Sequence, residues 1–163
     1  MDPSQKLTYE QNYLYQLGCL TFVESKHVGT GAEKNSNQPM LNWAADAIDQ
    51  HQLAIVLNSH NFPYGYYHWA WLTPQVISSV VGSSTYLLHK SEINEGDYLF
   101  IMACGVEPGG FRLLLKDMLA RLSLGGVCIH WFGRKGRANR IVRFDPHLNK
   151  ISYLHAGNFD FPS

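Results

Sequence analysis

Residues 97–132 hold the pattern that most restricts the fold. Phe111, Leu114, Leu115, Met118, Leu119 and Leu122 recur at i, i+3, i+4 and i+7 intervals, with Gly109-Gly110 before them and Gly125-Gly126 after. That spacing gathers apolar side chains on one face of a helix, and glycines at both ends give the backbone freedom to enter and leave it. The apolar run from Asp97 to Cys104 reads as a central strand, and Val127 to Phe132 as another. A helix held between two such strands covers a sheet with its apolar face.

The rest of the chain supplies enough material for this arrangement. It has 163 residues, 45% hydrophobic and 16% charged, which suits one domain over residues 1–163 with a real core and argues against disorder. Lys plus Arg and Asp plus Glu number 13 each, so the balance excludes a highly basic nucleic-acid binder. Apolar stretches such as Leu53 to Leu57 fall far below the roughly 18 residues that a membrane-spanning helix needs. The opening MDPSQKLTYEQ lacks the basic start and apolar stretch of a secretion signal. Cys19, Cys104 and Cys128 are too few and scattered for a disulfide framework or a zinc site, so the expected compartment is the reducing cytoplasm.

Thr8 and Gln11 form a capping-box pattern, and Tyr13, Leu14, Leu17 and Leu20 follow at helical spacing, predicting a packed helix to about Phe22. Residues 25–38 read as an exposed, mobile loop that carries His27. A second helix is expected from about Pro39 to Gln50, with Leu41, Ala44, Ala45 and Ile48 on one face. Leu53 to Leu57 and Tyr66 to Leu72 are strands that pair across the turn NSHNFPYG, and Thr73-Pro74 starts a short helix to Val81. No element is assigned between there and Gly96. Arg140 to Phe144 and Ile151 to Leu154 complete the strands, and no internal repeat or linker divides the chain. The fold class is therefore α+β, a mixed sheet flanked by helices.

Residues 63–74, PYGYYHWAWLTP, resemble a segment of the RTX-toxin-activating lysine acyltransferases, the hemolysin-activator family, that reads Pro-x-Ala-Tyr-x-x-Trp-Ala. Pro63, Gly65, Tyr66, Trp69 and Ala70 fall in register. Gly96-Asp97, Arg143-Phe144-Asp145-Pro146, and Lys150-Ile151-Ser152 leading to His155-Ala156-Gly157 keep the family's order. The resemblance covers nearly the whole chain. It implies a GNAT-like, mostly antiparallel sheet and transfer of a fatty acyl group from acyl carrier protein to internal lysines of an RTX-type protoxin. It also places the catalytic histidine at His27, within Glu24-Ser25-Lys26-His27, and suggests a homodimer. One position departs from the pattern: the family's second catalytic residue is an Asp inside the strand opened by Gly-Asp, and Ala103 stands there.

The chemistry fits an imidazole. A lysine amine with an ordinary pKa near 10.4 costs roughly 4.6 kcal/mol to deprotonate at neutral pH, so a base that titrates near neutrality assists the attack. His27 is assigned as that base, with an acyl-imidazole as its other role. Glu24, Asp97 and Glu107 are candidates to orient it in place of the missing Asp. Gly109 and Gly110 at the head of the helix are candidate phosphate contacts for a phosphopantetheine arm, assisted by Arg112.

Arg134, Lys135, Arg137, Arg140 and Arg143 form a basic stretch that could steer an acidic acyl carrier protein. Tyr64, Tyr66, Tyr67, Trp69 and Trp71 place large rings on both faces of their strand, one face being core and the other core or an acyl pocket. His68 in that strand reads as a core residue. Cys104 is expected to be structural rather than a nucleophile, and no spacing supports a metal site. The expected function is an acyl-carrier-protein-dependent protein-lysine acyltransferase without a resident cofactor. Two alternatives stand beside it. One is maturation of a siderophore-peptide microcin by ligation to the peptide C-terminus, with a partner subunit; the other is a degenerate acyltransferase that only binds.

Overall fold

The structure, a computed structural model, describes residues 7–27, 40–82, 86, 88–132 and 140–155. Its helices are α1 (Tyr9–His27), α2 (Met40–Asp49), α3 (Pro74–Gly82) and α4 (Phe111–Leu122). Its strands are β1 (Leu53–Leu57), β2 (Pro63–Leu72), β3 (Tyr98–Val106), β4 (Ile129–Phe132), β5 (Arg140–Asp145) and β6 (Lys150–His155). The strands follow sheet order β1-β2-β3-β4-β5-β6, an open and mostly antiparallel sheet, so the protein is α+β. β4 pairs antiparallel with β5, and β5 with β6. β3 and β4 run parallel, with Phe100 opposite His130, as expected when a helix such as α4 connects two strands. The chain clusters into two compact units, residues 1–67 with 104–114 and residues 68–103 with 115–163.

In the first unit the capping box forms as expected: the Gln11 amide donates to the Thr8 hydroxyl at 3.3 Å, and the Thr8 amide to the Gln11 side chain at 2.9 Å. The helix it starts differs from expectation at both its face and its end. Leu20 and Val23 are fully buried, whereas Leu14, expected in the packing stripe, is 67% exposed. α1 also continues five residues beyond Phe22, so His27 is its last residue and not part of a loop. Within that extension the Ser25 hydroxyl donates to the Phe22 carbonyl at 2.8 Å. α1 and α2 pack on each other and on β1, with Ala44, Ala47 and Ile48 buried along α2. The side chain of Leu41, residues 28–38 of the expected loop, and Pro39, where the second helix was expected to begin, lie outside the described residues.

The β1–β2 turn is built by Asn58, whose side-chain oxygen accepts the amides of His60 and Phe62 at 2.9 and 3.1 Å. β2 begins at Pro63, three residues earlier than expected, and buries Tyr66, Tyr67 and His68 in succession. Both faces of that strand are therefore covered there.

In the second unit, Ala70, Leu72, Val76, Ile77, Phe100 and Ile141 form a shared core. Thr73 caps α3, its hydroxyl accepting the Val76 amide at 3.3 Å. A short 3-10 turn at Lys90–Glu92, capped by His89, fills part of the stretch that the sequence left unassigned. Gly96 then passes so close to β2 that a Cβ there would fall 2.0 Å from the Leu72 carbonyl carbon, which explains a glycine at the entry to β3. Along α4, Leu114 and Met118 are buried as its periodicity predicts, while Phe111 at the helix start is exposed. No helix among the described residues is long and apolar enough to cross a membrane.

Candidate functional site

The final turn of α1 is held by two side-chain links to distant parts of the first unit. Glu24 accepts a hydrogen bond from the Tyr66 hydroxyl of β2, and Lys26 forms an ion pair with Glu107 just past β3. Tyr66 is buried, and its ring centroid lies 6.1 Å from that of Trp43 on α2. Burial first, then the Glu24 carboxylate, pushes the phenol well above its ordinary pKa, so it stays protonated and donates. Gly105 of β3 makes room for this pair. A Cβ there would lie 2.5 Å from Tyr66 Cε1 and 2.9 Å from Glu24 Oε1.

Lys26 and Glu107 are about a third or more exposed, so their attraction is screened and adds little to stability. Its value is positional. The Lys26 ammonium also sits 4.2 Å from the Phe22 ring centroid. Glu107 in turn donates its amide to the Tyr64 carbonyl at 2.8 Å and accepts the Gly110 amide on its own carbonyl at 2.9 Å. The end of α1, the end of β3 and the turn into α4 are thereby joined.

Gly109 and Gly110 shape that turn. Gly109 adopts φ +84°, a left-handed conformation suited to glycine, and a Cβ on Gly110 would lie 2.7 Å from Val106 Cγ2. The Gly110 amide, expected to face a phosphate, is committed to the Glu107 carbonyl. The donors that the helix start offers are therefore the next amides, those of Phe111 and Arg112, and the Arg112 side chain is exposed beside them.

The first unit thus contains His27, Gly109, Gly110 and Arg112 together. Lys26, one residue before His27, is bonded to Glu107, two residues before Gly109. The His27 side chain lies outside the described residues. Of the three carboxylates considered for orienting it, Glu24 and Glu107 belong to this cluster, whereas Asp97 lies in the other unit. Ala103 belongs to that other unit as well. Arg134, Lys135 and Arg137 lie outside the described residues, as does the side chain of Arg140. Arg143 contacts the Cys128 sulfur at 3.0 Å and Asp145 at 3.4 Å.

Other expected residues take structural positions. Solvent reaches Cys104, yet burial by its neighbours raises its thiol pKa, which keeps it protonated and a poor nucleophile. His130 stacks on Phe100 at 5.7 Å and approaches the Leu99 carbonyl through Nδ1 at 3.2 Å. His68 is buried, and desolvation pulls its pKa down to about 4, as suits a core imidazole. Sequence reasoning missed Gly105 and the partnerships of Tyr66 and Lys26. The partners are 42 and 81 residues apart, and no local pattern announces such pairs.

No protein-family model matches the chain, and no curated protein matches it either.

Proposed function

We propose that this protein is an acyltransferase that moves a fatty acyl group from acyl carrier protein to lysine side chains of an RTX-type protoxin. The observation that carries this reading is the Lys26–Glu107 link, which ties the helix end bearing His27 to the turn entering α4. One compact unit then holds a base and an anion-binding helix start. The resemblance to the hemolysin activators supplies the reaction, and the α+β sheet is compatible with a GNAT-like architecture.

In the proposed reaction His27 takes a proton from the acceptor ammonium, and the freed amine attacks the thioester carbonyl carbon. A carbon–nitrogen bond forms, the carbon–sulfur bond breaks, and the second proton shed by the attacking nitrogen passes to the departing pantetheine sulfur, which leaves as a thiol, while His27 returns its own proton to solvent. The Phe111 and Arg112 amides and the Arg112 guanidinium hold the pantetheine phosphate. Glu24, three residues from His27 and fixed by Tyr66, takes the positioning role of the carboxylate that Ala103 does not supply. The acyl group travels on the carrier protein as substrate.

The test combines acyl-loaded carrier protein, a protoxin acceptor and the purified chain, read by intact mass. An acyl increment on acceptor lysines that disappears with His27→Ala in a folded variant supports the assignment. Transfer unchanged in that variant removes His27 from the mechanism. Ala103 and the Trp43–Tyr66 ring pair favour a second reading, ligation of an aromatic siderophore to a peptide C-terminus. Mass placed at the terminal carboxyl rather than on lysine would select it.

A further inference from the structure

Two ordered turns of the second unit hold leucines outward into solvent. Leu124 is 88% and Leu148 70% exposed. Leu124 lies at the centre of the 3-10 turn Ser123–Gly125 that follows α4, closed by the Gly126 amide donating to the Ser123 carbonyl at 2.9 Å. Leu148 lies in the β5–β6 turn, where the Asp145 carboxylate accepts the His147 and Leu148 amides at 3.0 and 3.2 Å. The two turns are neighbours, since a Cβ on Gly126 would fall 3.0 Å from the His147 ring. Each turn is fixed by its own hydrogen bonds, so the exposure of both leucines is built into the fold.

The charge around these leucines is mainly of one sign. Lys116, Arg121 and Lys150 are exposed on the adjoining elements, α4 and the start of β6. Residues 115–126 and 145–151 contain only two carboxylates, Asp117 and Asp145. Asp117 pairs with Arg121 at 3.0 Å, and Asp145 is taken by its turn amides and by Arg143. The surplus is therefore positive. We propose that these two turns form a peripheral membrane-docking surface, on which Leu124 and Leu148 enter the outer layer of an anionic bilayer while Arg121 and Lys150 face its headgroups. A fluid bilayer closes around separate protruding side chains, whereas a protein partner must offer a matching hollow for each. Two leucines alone bind a bilayer weakly and reversibly, and the attraction of the cations to anionic headgroups adds the second contribution that stable docking needs. The exposed Arg121–Asp117 pair is weak enough for Arg121 to turn to a lipid phosphate.

Co-sedimentation of the purified chain with vesicles tests this, comparing phosphatidylcholine alone with an equal mixture of phosphatidylcholine and phosphatidylglycerol. The expected result is binding to the anionic mixture, weakened about tenfold or more by Arg121→Gln combined with Lys150→Gln, and by Leu124→Ser combined with Leu148→Ser. All four positions are exposed, and an unchanged urea midpoint for each double variant verifies that the fold persists. No binding to anionic vesicles would overturn the proposal. So would equal binding to phosphatidylcholine alone, or binding that either double variant retains in full. Capture by acyl carrier protein in place of vesicles, lost in the same variants, would assign the surface to a protein partner and overturn the proposal as well.

Discussion

Acidification should destabilise this protein well before its carboxylates titrate, because two imidazoles are buried in the neutral form. His68 is 6% and His130 4% exposed. Burial lowers each pKa from 6.5 to about 4; at His130 the Arg143 charge adds to this and the Leu99 carbonyl opposes it. Since the folded pKa lies below the unfolded one, the unfolded chain binds protons first as pH falls. Each histidine's stabilising contribution is therefore full above pH 6.5 and is lost progressively between there and about pH 4. Between about pH 7.5 and 5 the loss is roughly 2 kcal/mol per histidine, about 4 kcal/mol for both. That is a large part of the roughly 5–15 kcal/mol that holds a typical domain. Urea unfolding at a series of fixed pH values measures it, with His68→Gln and His130→Asn as controls. Each variant should reduce the slope of stability against pH by about half. An unchanged slope in both variants, or stability that rises on acidification, would refute the linkage argument.

Other substitutions probe the packing of the candidate site and of α1. Gly105→Ala places a methyl against the Tyr66 ring and the Glu24 carboxylate, and should cost about 2–4 kcal/mol in chemical denaturation. Tyr66→Phe removes the donor to Glu24 and should cost about 1–3 kcal/mol; acyl transfer should fall with it if Glu24 positions the base. Gly18→Ala should stabilise the fold by about 0.5–1 kcal/mol, since the added methyl meets no neighbour and the alanine favours the helix.

Local patterns announced most of the elements. The capping box at Thr8, the strand at Leu53–Leu57 and the helix at Phe111–Leu122 stand where propensity and periodicity placed them. The errors lie where tertiary contacts override those patterns. α1 extends through His27 because Val23 is buried and because Glu24 and Lys26 find partners on β2 and beyond β3, although the sequence beyond Phe22 becomes polar. Leu14 fits the apolar period of α1 but sits on its open face, since periodicity identifies a stripe without saying which side meets the core.

The candidate site divides in the same way. The glycine pair before α4 was open to reading along the chain, because a turn into a helix depends on near neighbours, whereas His27 was singled out by the resemblance and not by any local pattern. The Tyr66–Glu24 pair, the close approach at Gly105 and the Lys26–Glu107 link were decided only by the tertiary structure. A hydrogen bond or a steric contact depends on distance in space, and folding alone brings residues tens of positions apart to that distance.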